Sequence, residues 1–96
     1  MNRNYELVVI LDPELKDEEQ EKLLEKIKKF ISNFEGKISQ EKKWGSKELA
    51  YPVFKRKTGI FYWFLFSLPS EKTSVLKQKI VLEESVLRYL LVNKEN

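Results

Sequence analysis

Two periods of apolar residues run along this chain and mark out its elements. Residues 5–11, YELVVIL, are an unbroken apolar run rich in Val and Ile that ends at Asp12-Pro13, which predicts a strand buried on both faces. From 17 to 34 the period changes to that of a helix. Leu23, Leu24, Ile27, Phe30, Ile31 and Phe34 form one stripe on a charged cylinder. Asp17 with Gln20 suits a capping box, the acidic DEEQE first turn suits the helix dipole, and Gly36 suits the stop. Residues 37–44, KISQEKKW, alternate. Ile38, Gln40, Lys42 and Trp44 fall on one face and Lys37, Ser39, Glu41 and Lys43 on the other, as on a wet edge strand. Gly45 predicts a bulge before ELAYPVF resumes, and Pro52 confines that segment to an edge or an outward position. KRKTG at 55–59 reads as a hairpin tip, and IFYWFLFSL at 60–68 as a central strand apolar on both faces. A shorter helix follows Pro69, with Ser70 as N-cap and Val75, Leu76 and Ile80 inside. VLRYLLV at 86–92 is a last strand.

The order strand, helix, strand, strand, helix, strand predicts an α+β, ferredoxin-like βαββαβ fold: a four-stranded antiparallel sheet with both helices on one face. Ninety-six residues suit one domain spanning 1–96, with a frayed polar tail at 93–96. No helix covers the second face of such a sheet, yet its two central strands are apolar on both sides. Either Phe61, Trp63 and Leu65 or Ile60, Tyr62, Phe64 and Phe66 must therefore face outward. An exposed patch of this kind is expected to dock a partner, unless long side chains fold over it.

Composition narrows the chemistry. The chain has no cysteine and no histidine, which removes thiolate chemistry and the commonest metal ligand and general base. No apolar run has membrane-spanning length and the first residues lack the order of a signal peptide, so a cytoplasmic protein without membrane contact is expected. The net charge of +3 is unevenly placed. Residues 1–36 carry six Lys/Arg against nine Asp/Glu, and residues 37–96 carry twelve against six. A polyanion suits that second part, as does a merely solvated surface.

WGSKELAYPVFKRKTG at 44–59, together with YELVVILDPEL, EGKI after the first helix and VLEESVLRYLLV near the end, resembles the bacterial small ribosomal subunit protein six family in order from Tyr5 to Val92. The resemblance implies a ferredoxin-like domain without enzymatic activity, cofactor or small-molecule substrate. It also implies a structural component of the ribosome that binds the central domain of small-subunit rRNA, at a three-way junction, as a heterodimer with small-subunit protein eighteen. Lys47 departs from the family, which often has Arg there, and so weakens any bidentate phosphate contact.

With the resemblance, Arg88 in an apolar strand is expected at rRNA phosphate, the alternative being a cross-strand partner for Glu6. Lys55, Arg56 and Lys57 crowd a turn where a polyanion would relieve their repulsion, and Arg3 is expected to flank the same RNA surface. Trp44, Tyr51, Phe54 and Trp63 are the expected contacts to the partner protein, with ordinary packing as the competing account. A single-strand RNA-recognition module shares the topology, but after Gly59 this chain has Ile60 and Phe61 where such a module has an aromatic and a small residue. The first strand also lacks its second aromatic. A phosphate-cradling enzyme of acylphosphatase type would need glycine and arginine in the loop that here reads LDPEL.

Overall fold

A computed structural model of the chain describes residues 2–53 and 55–94. Its elements are β1 (Asn2–Leu11), α1 (Asp17–Asn33), β2 (Lys37–Val53), β3 (Arg56–Pro69), a 3-10 turn (Ser70–Lys72), α2 (Thr73–Val81) and β4 (Val86–Asn93). The strands form one sheet in the order β2-β3-β1-β4, with every neighbouring pair antiparallel. The predicted ferredoxin-like arrangement is thus observed, with β1 and β3 central and β2 on an edge.

Alternation along the central strands divides their side chains cleanly. Tyr5, Leu7, Val9 and Leu11 of β1 and Ile60, Phe64, Phe66 and Leu68 of β3 are buried with Leu23, Ile27 and Ile31 of α1 and Leu76 and Ile80 of α2. This is the core. Tyr62 belongs to the same face, packed against that cluster, and its hydroxyl donates to Gln20 Oε1 at 3.2 Å. Phe61, Trp63 and Leu65 consequently face the helix-free side, opposite Ile10, Val8 and Glu6 of β1. The choice that periodicity left open is settled by which set meets the helices. β1 is also less two-sided than its run of apolar letters predicts, since Glu6, Val8 and Ile10 are only half-buried.

Local chemistry differs from expectation at several ends. The helix α1 starts at N-cap Lys16, and Glu19, not Gln20, reaches back: its carboxylate accepts the Lys16 N–H at 3.0 Å. Gln20 is instead buried and donates to the Leu15 carbonyl at 3.0 Å. Ser70 does not cap α2; it opens the 3-10 turn, where its carbonyl accepts the Thr73 hydroxyl. The predicted tip at 55–59 is shorter than expected, because Val53 already pairs with Arg56 and β3 starts there. Asn93 is the last residue of β4, and the Lys94 N–H donates to the Asn4 carbonyl at 2.7 Å. In β2 a register shift between Ile38 and Gln40 breaks the predicted strict alternation. Ile38 packs on the core, whereas Glu41 stands on the same helix-bearing face and bonds Lys28 of α1 at 2.8 Å.

At the end of α1, the Gly36 N–H donates to the Ile31 carbonyl and the Glu35 N–H to the Ser32 carbonyl, a Schellman closure. Glu35 holds the left-handed position at φ 67°, where glycine is the usual occupant. Gly36 serves a different purpose. A Cβ there would lie 2.6 Å from Ile31 Cγ2 and 2.8 Å from the carbonyl oxygens of Ile31 and Ser67. Two adjacent substitutions should therefore act in opposite directions in urea unfolding. Gly36→Ala should cost about 1–3 kcal/mol by overpacking, and Glu35→Gly should add about 0.5 kcal/mol by relieving the left-handed backbone. Equal midpoints would remove the close-approach account.

Bonding to the Glu41 carboxylate holds the Lys28 ammonium above its ordinary value of 10.5, outweighing the partial burial that pulls it down. The folded pKa exceeds the unfolded one, so the added stability is present below 10.5 and is lost as pH rises through the raised value. Relative to Lys28→Gln, the wild-type chain should lose at most about 1 kcal/mol across that alkaline window, the pair being partly exposed. Parallel pH curves for the two proteins would contradict this.

Candidate nucleic-acid interface

The helix-free face of the sheet is built from four rows of outward side chains. The central rows are Glu6, Val8 and Ile10 of β1 and Phe61, Trp63 and Leu65 of β3. Arg88, Leu90 and Val92 of β4 flank them on one side, paired respectively with Ile10, Val8 and Glu6. Lys42, Trp44 and Lys47 of β2 flank them on the other. Trp44 stacks on Trp63 with centroids 6.4 Å apart and planes 12° from parallel. Lys42 Nζ lies 6.0 Å from the Trp63 ring, and Lys47 Nζ lies 5.2 Å from Trp44 and 5.8 Å from Phe61. These ammonium groups sit where the ring quadrupoles attract them, so cations are drawn toward an apolar floor. Leu90 is 60% exposed and Trp44 44%, so the floor is open to a partner.

The end of β2 and the start of β3 extend beyond this floor as an arm, described over residues 49–53 and 55–57 and held from both faces. Strand alternation splits the basic triplet: Lys57 shares the parity of Phe61 and Trp63, while Arg56 shares that of Ile60 and Tyr62 on the helix side. On the helix side, Arg56 Nη1 and Nη2 donate to the two Glu14 oxygens at 3.0 and 2.9 Å, and Nη2 also reaches Asp12 Oδ2 at 3.3 Å. On the open side, Arg88 Nη1 donates to the Tyr51 hydroxyl at 2.6 Å, and its guanidinium carbon lies 5.1 Å from the Tyr51 ring centre. Gly59 permits the close approach between arm and sheet, since a Cβ there would lie 2.3 Å from Ile10 Cγ2. Lys55, at φ 66°, and Lys57 are exposed on the arm.

This sheet and its basic arm are found in a known setting. The family model for ribosomal protein S6 matches residues 4–93. The chain belongs to the ribosomal protein S6 family. It is 37% identical to small ribosomal subunit protein bS6 of Geobacter sulfurreducens over 95 residues, which cover 99% of this chain and 81% of the relative. It is 30% identical to bS6 of Fusobacterium nucleatum over 93 residues, covering 97% and 99%. The crystal structure of 30S ribosomal protein S6 from Thermotoga maritima superposes with a TM-score of 0.92 at 25% identity, covering 98% of this chain and 89% of that one. Family membership makes this a cytoplasmic protein of the small ribosomal subunit, a structural component and not an enzyme.

Within the S6-family frame, the residues singled out from sequence divide into three groups. Trp44, Trp63, Tyr51 and Arg88 are brought together on or beside the open face, with Lys57 on the neighbouring arm. Arg56 is turned to the opposite face and engaged by Asp12 and Glu14. Arg3 lies elsewhere: it pairs with Leu68 at the far end of β1 from Ile10, which pairs with Arg88, and it has the parity of the helix-bearing face. Phe54 lies outside the described residues. Glu6, the alternative partner for Arg88, is bonded to Lys94 at 2.9 Å. Lys42 and Lys47 were not singled out as a cationic pair. The i, i+2 spacing of Lys42 and Trp44 puts those two on one face, but the register that sets Lys42 and Trp44 against Trp63, and Lys47 against Trp44 and Phe61, depends on two bulges.

The Tyr51–Arg88 link predicts energetic coupling between residues 37 positions apart. A double-mutant cycle of Tyr51→Phe and Arg88→Gln in chemical unfolding should give about 1 kcal/mol, a charge-assisted bond reduced by exposure. Additive effects would contradict the link.

Proposed function

We propose that this chain binds the central domain of small-subunit rRNA jointly with small-subunit protein eighteen, and thereby holds a junction of that RNA in one fold. The observation that carries the reading is the combination on one face of an exposed apolar floor with cations drawn to its rings. Trp44, Trp63, Leu90 and Val92 offer a second protein a surface from which water can be excluded. Lys42, Lys47, Lys57 and Arg88 stand on or beside that floor, and Lys55 at the arm, where they can meet phosphate at the border of a docked protein. Cations held against aromatic rings lose less side-chain freedom on binding, which favours their use as positioning contacts.

Family membership supports the same reading, because the relatives are named as small-subunit proteins. The role is structural in this account. Basic side chains set the orientation of the protein on the RNA backbone, and the apolar floor makes RNA binding depend on the second protein. A single-strand recognition module gains no support from the open face. Its β1 row is Glu6, Val8 and Ile10 without an aromatic, and the Trp63 ring already stacks on Trp44.

A gel shift on the rRNA junction fragment, with and without protein eighteen and across salt concentrations, tests the proposal. Binding should require both proteins, and removing one phosphate-bound cation should reduce the logarithmic salt slope by about 0.7–0.9. Lys55→Ala with Lys57→Ala should thus lower the slope by about 1.4–1.8, whereas Leu90→Glu, which puts a charge on the apolar floor, should abolish the shift even with protein eighteen present. Tight binding of unstructured RNA by this chain alone would contradict the proposal.

A further inference from the structure

We infer that Arg56 is an arm-positioning residue, latched by Asp12 and Glu14 so that the arm carries Lys55 and Lys57 in a fixed attitude, and is not itself a phosphate contact. The inference rests on the RNA-binding reading for its purpose, and on geometry for the latch. Arg56 lies in the middle of the only run of three consecutive basic residues, yet strand alternation turns it away from Lys57 and toward the loop between β1 and α1. There its planar fork meets Glu14 through two parallel bonds at 3.0 and 2.9 Å. Asp12 is arranged to add a third. Its Oδ1 accepts the Glu14 N–H at 2.9 Å and its carbonyl accepts the Leu15 N–H, which leaves Oδ2 toward Arg56 at 3.3 Å. The Arg56 side chain is only one-third exposed. A phosphate would have to displace two carboxylates from a bidentate, partly covered guanidinium, while Lys55 and Lys57 are exposed nearby.

The latch also gives a purpose to the acidic loop LDPEL. Two carboxylates beside a polyanion-binding arm should weaken binding through space. If they hold the arm, removing one weakens binding instead, and the sign of the effect distinguishes the two. The Tyr51–Arg88 bond restrains the arm from the other face, so loss of the Arg56 latch loosens the arm without detaching it.

The test compares Glu14→Gln and Arg56→Gln with the wild-type chain by amide hydrogen exchange of the free protein, and by salt-dependent binding to the rRNA junction fragment with protein eighteen. In both variants, exchange at the Val53–Arg56 ladder should accelerate about tenfold while core amides of β1 stay protected. Both should bind about twofold to tenfold more weakly, with the wild-type salt slope retained. The double variant should be no weaker than either single one. Unchanged ladder exchange in Arg56→Gln would overturn the latch. A slope lower by about 0.7–0.9 in Arg56→Gln, or tighter binding by Glu14→Gln, would overturn the positioning role and return Arg56 to the phosphate. If the wild-type chain does not bind the fragment, the RNA-binding reading and the positioning role fall together, and ladder exchange still decides the latch.

Discussion

Everything on the functional side of this protein depends on the antiparallel pairing of β1 with β3. Each central strand has two faces, and the sheet has helices for only one of them. The register that sets Leu7 opposite Phe64 sends one alternating set of both strands into the core, and so commits Val8, Phe61 and Trp63 to the other face. A slip of one residue in either strand would exchange core for surface. The buried set resists such a slip, because it includes the largest fully enclosed side chains, Phe64 and Phe66. The exposed apolar floor is therefore a consequence of a stable core: the same interaction that folds the domain exposes the surface proposed to dock a partner.

Around that floor and the arm beside it, charge is placed in two different ways. Lys42 and Lys47 lie over aromatic rings, where an ammonium is attracted yet keeps its outer side available for a ligand. Arg56 and Arg88 are engaged within the protein, at a carboxylate pair and at a tyrosine hydroxyl, and these bonds join the arm to the body on its two faces. The division matches the chemistry of the two cations. A guanidinium fork makes directional, paired bonds suited to holding an arm, while a lysine serves as a point charge on a flexible stem. Counting cations along the chain treats all of them as equivalent, and the folded arrangement shows that they are not.

The legible parts of the sequence were those with an uncontested period. The stripe Leu23, Ile27, Ile31 could only be one helix face, and Gly45 and Pro52 punctuated an edge strand where the sheet in fact has an edge. The β2 bulge after Ile38 was not legible, since Ser39, Gln40, Glu41, Lys42 and Lys43 are polar on both sides and a one-residue shift leaves no mark on their pattern. The Arg56 cluster was hidden for another reason. Its partners lie 42 and 44 positions away, and attraction between such residues has no sequence signature. Taken singly, Asp12 and Glu14 repel phosphate and Arg56 attracts it, whereas together they neutralise one another. The left-handed Glu35 was masked by Gly36 beside it, which sequence alone makes the natural stop.

The central claim is that the helix-free face docks a second protein, and the two tryptophans on it report this directly. Their emission should be recorded as small-subunit protein eighteen is added, with acrylamide quenching before and after. Docking on the floor predicts a blue shift and reduced quenching as Trp44 and Trp63 are shielded from water. Complex formation that leaves both signals unchanged would place the partner on the helices or an edge and contradict the account.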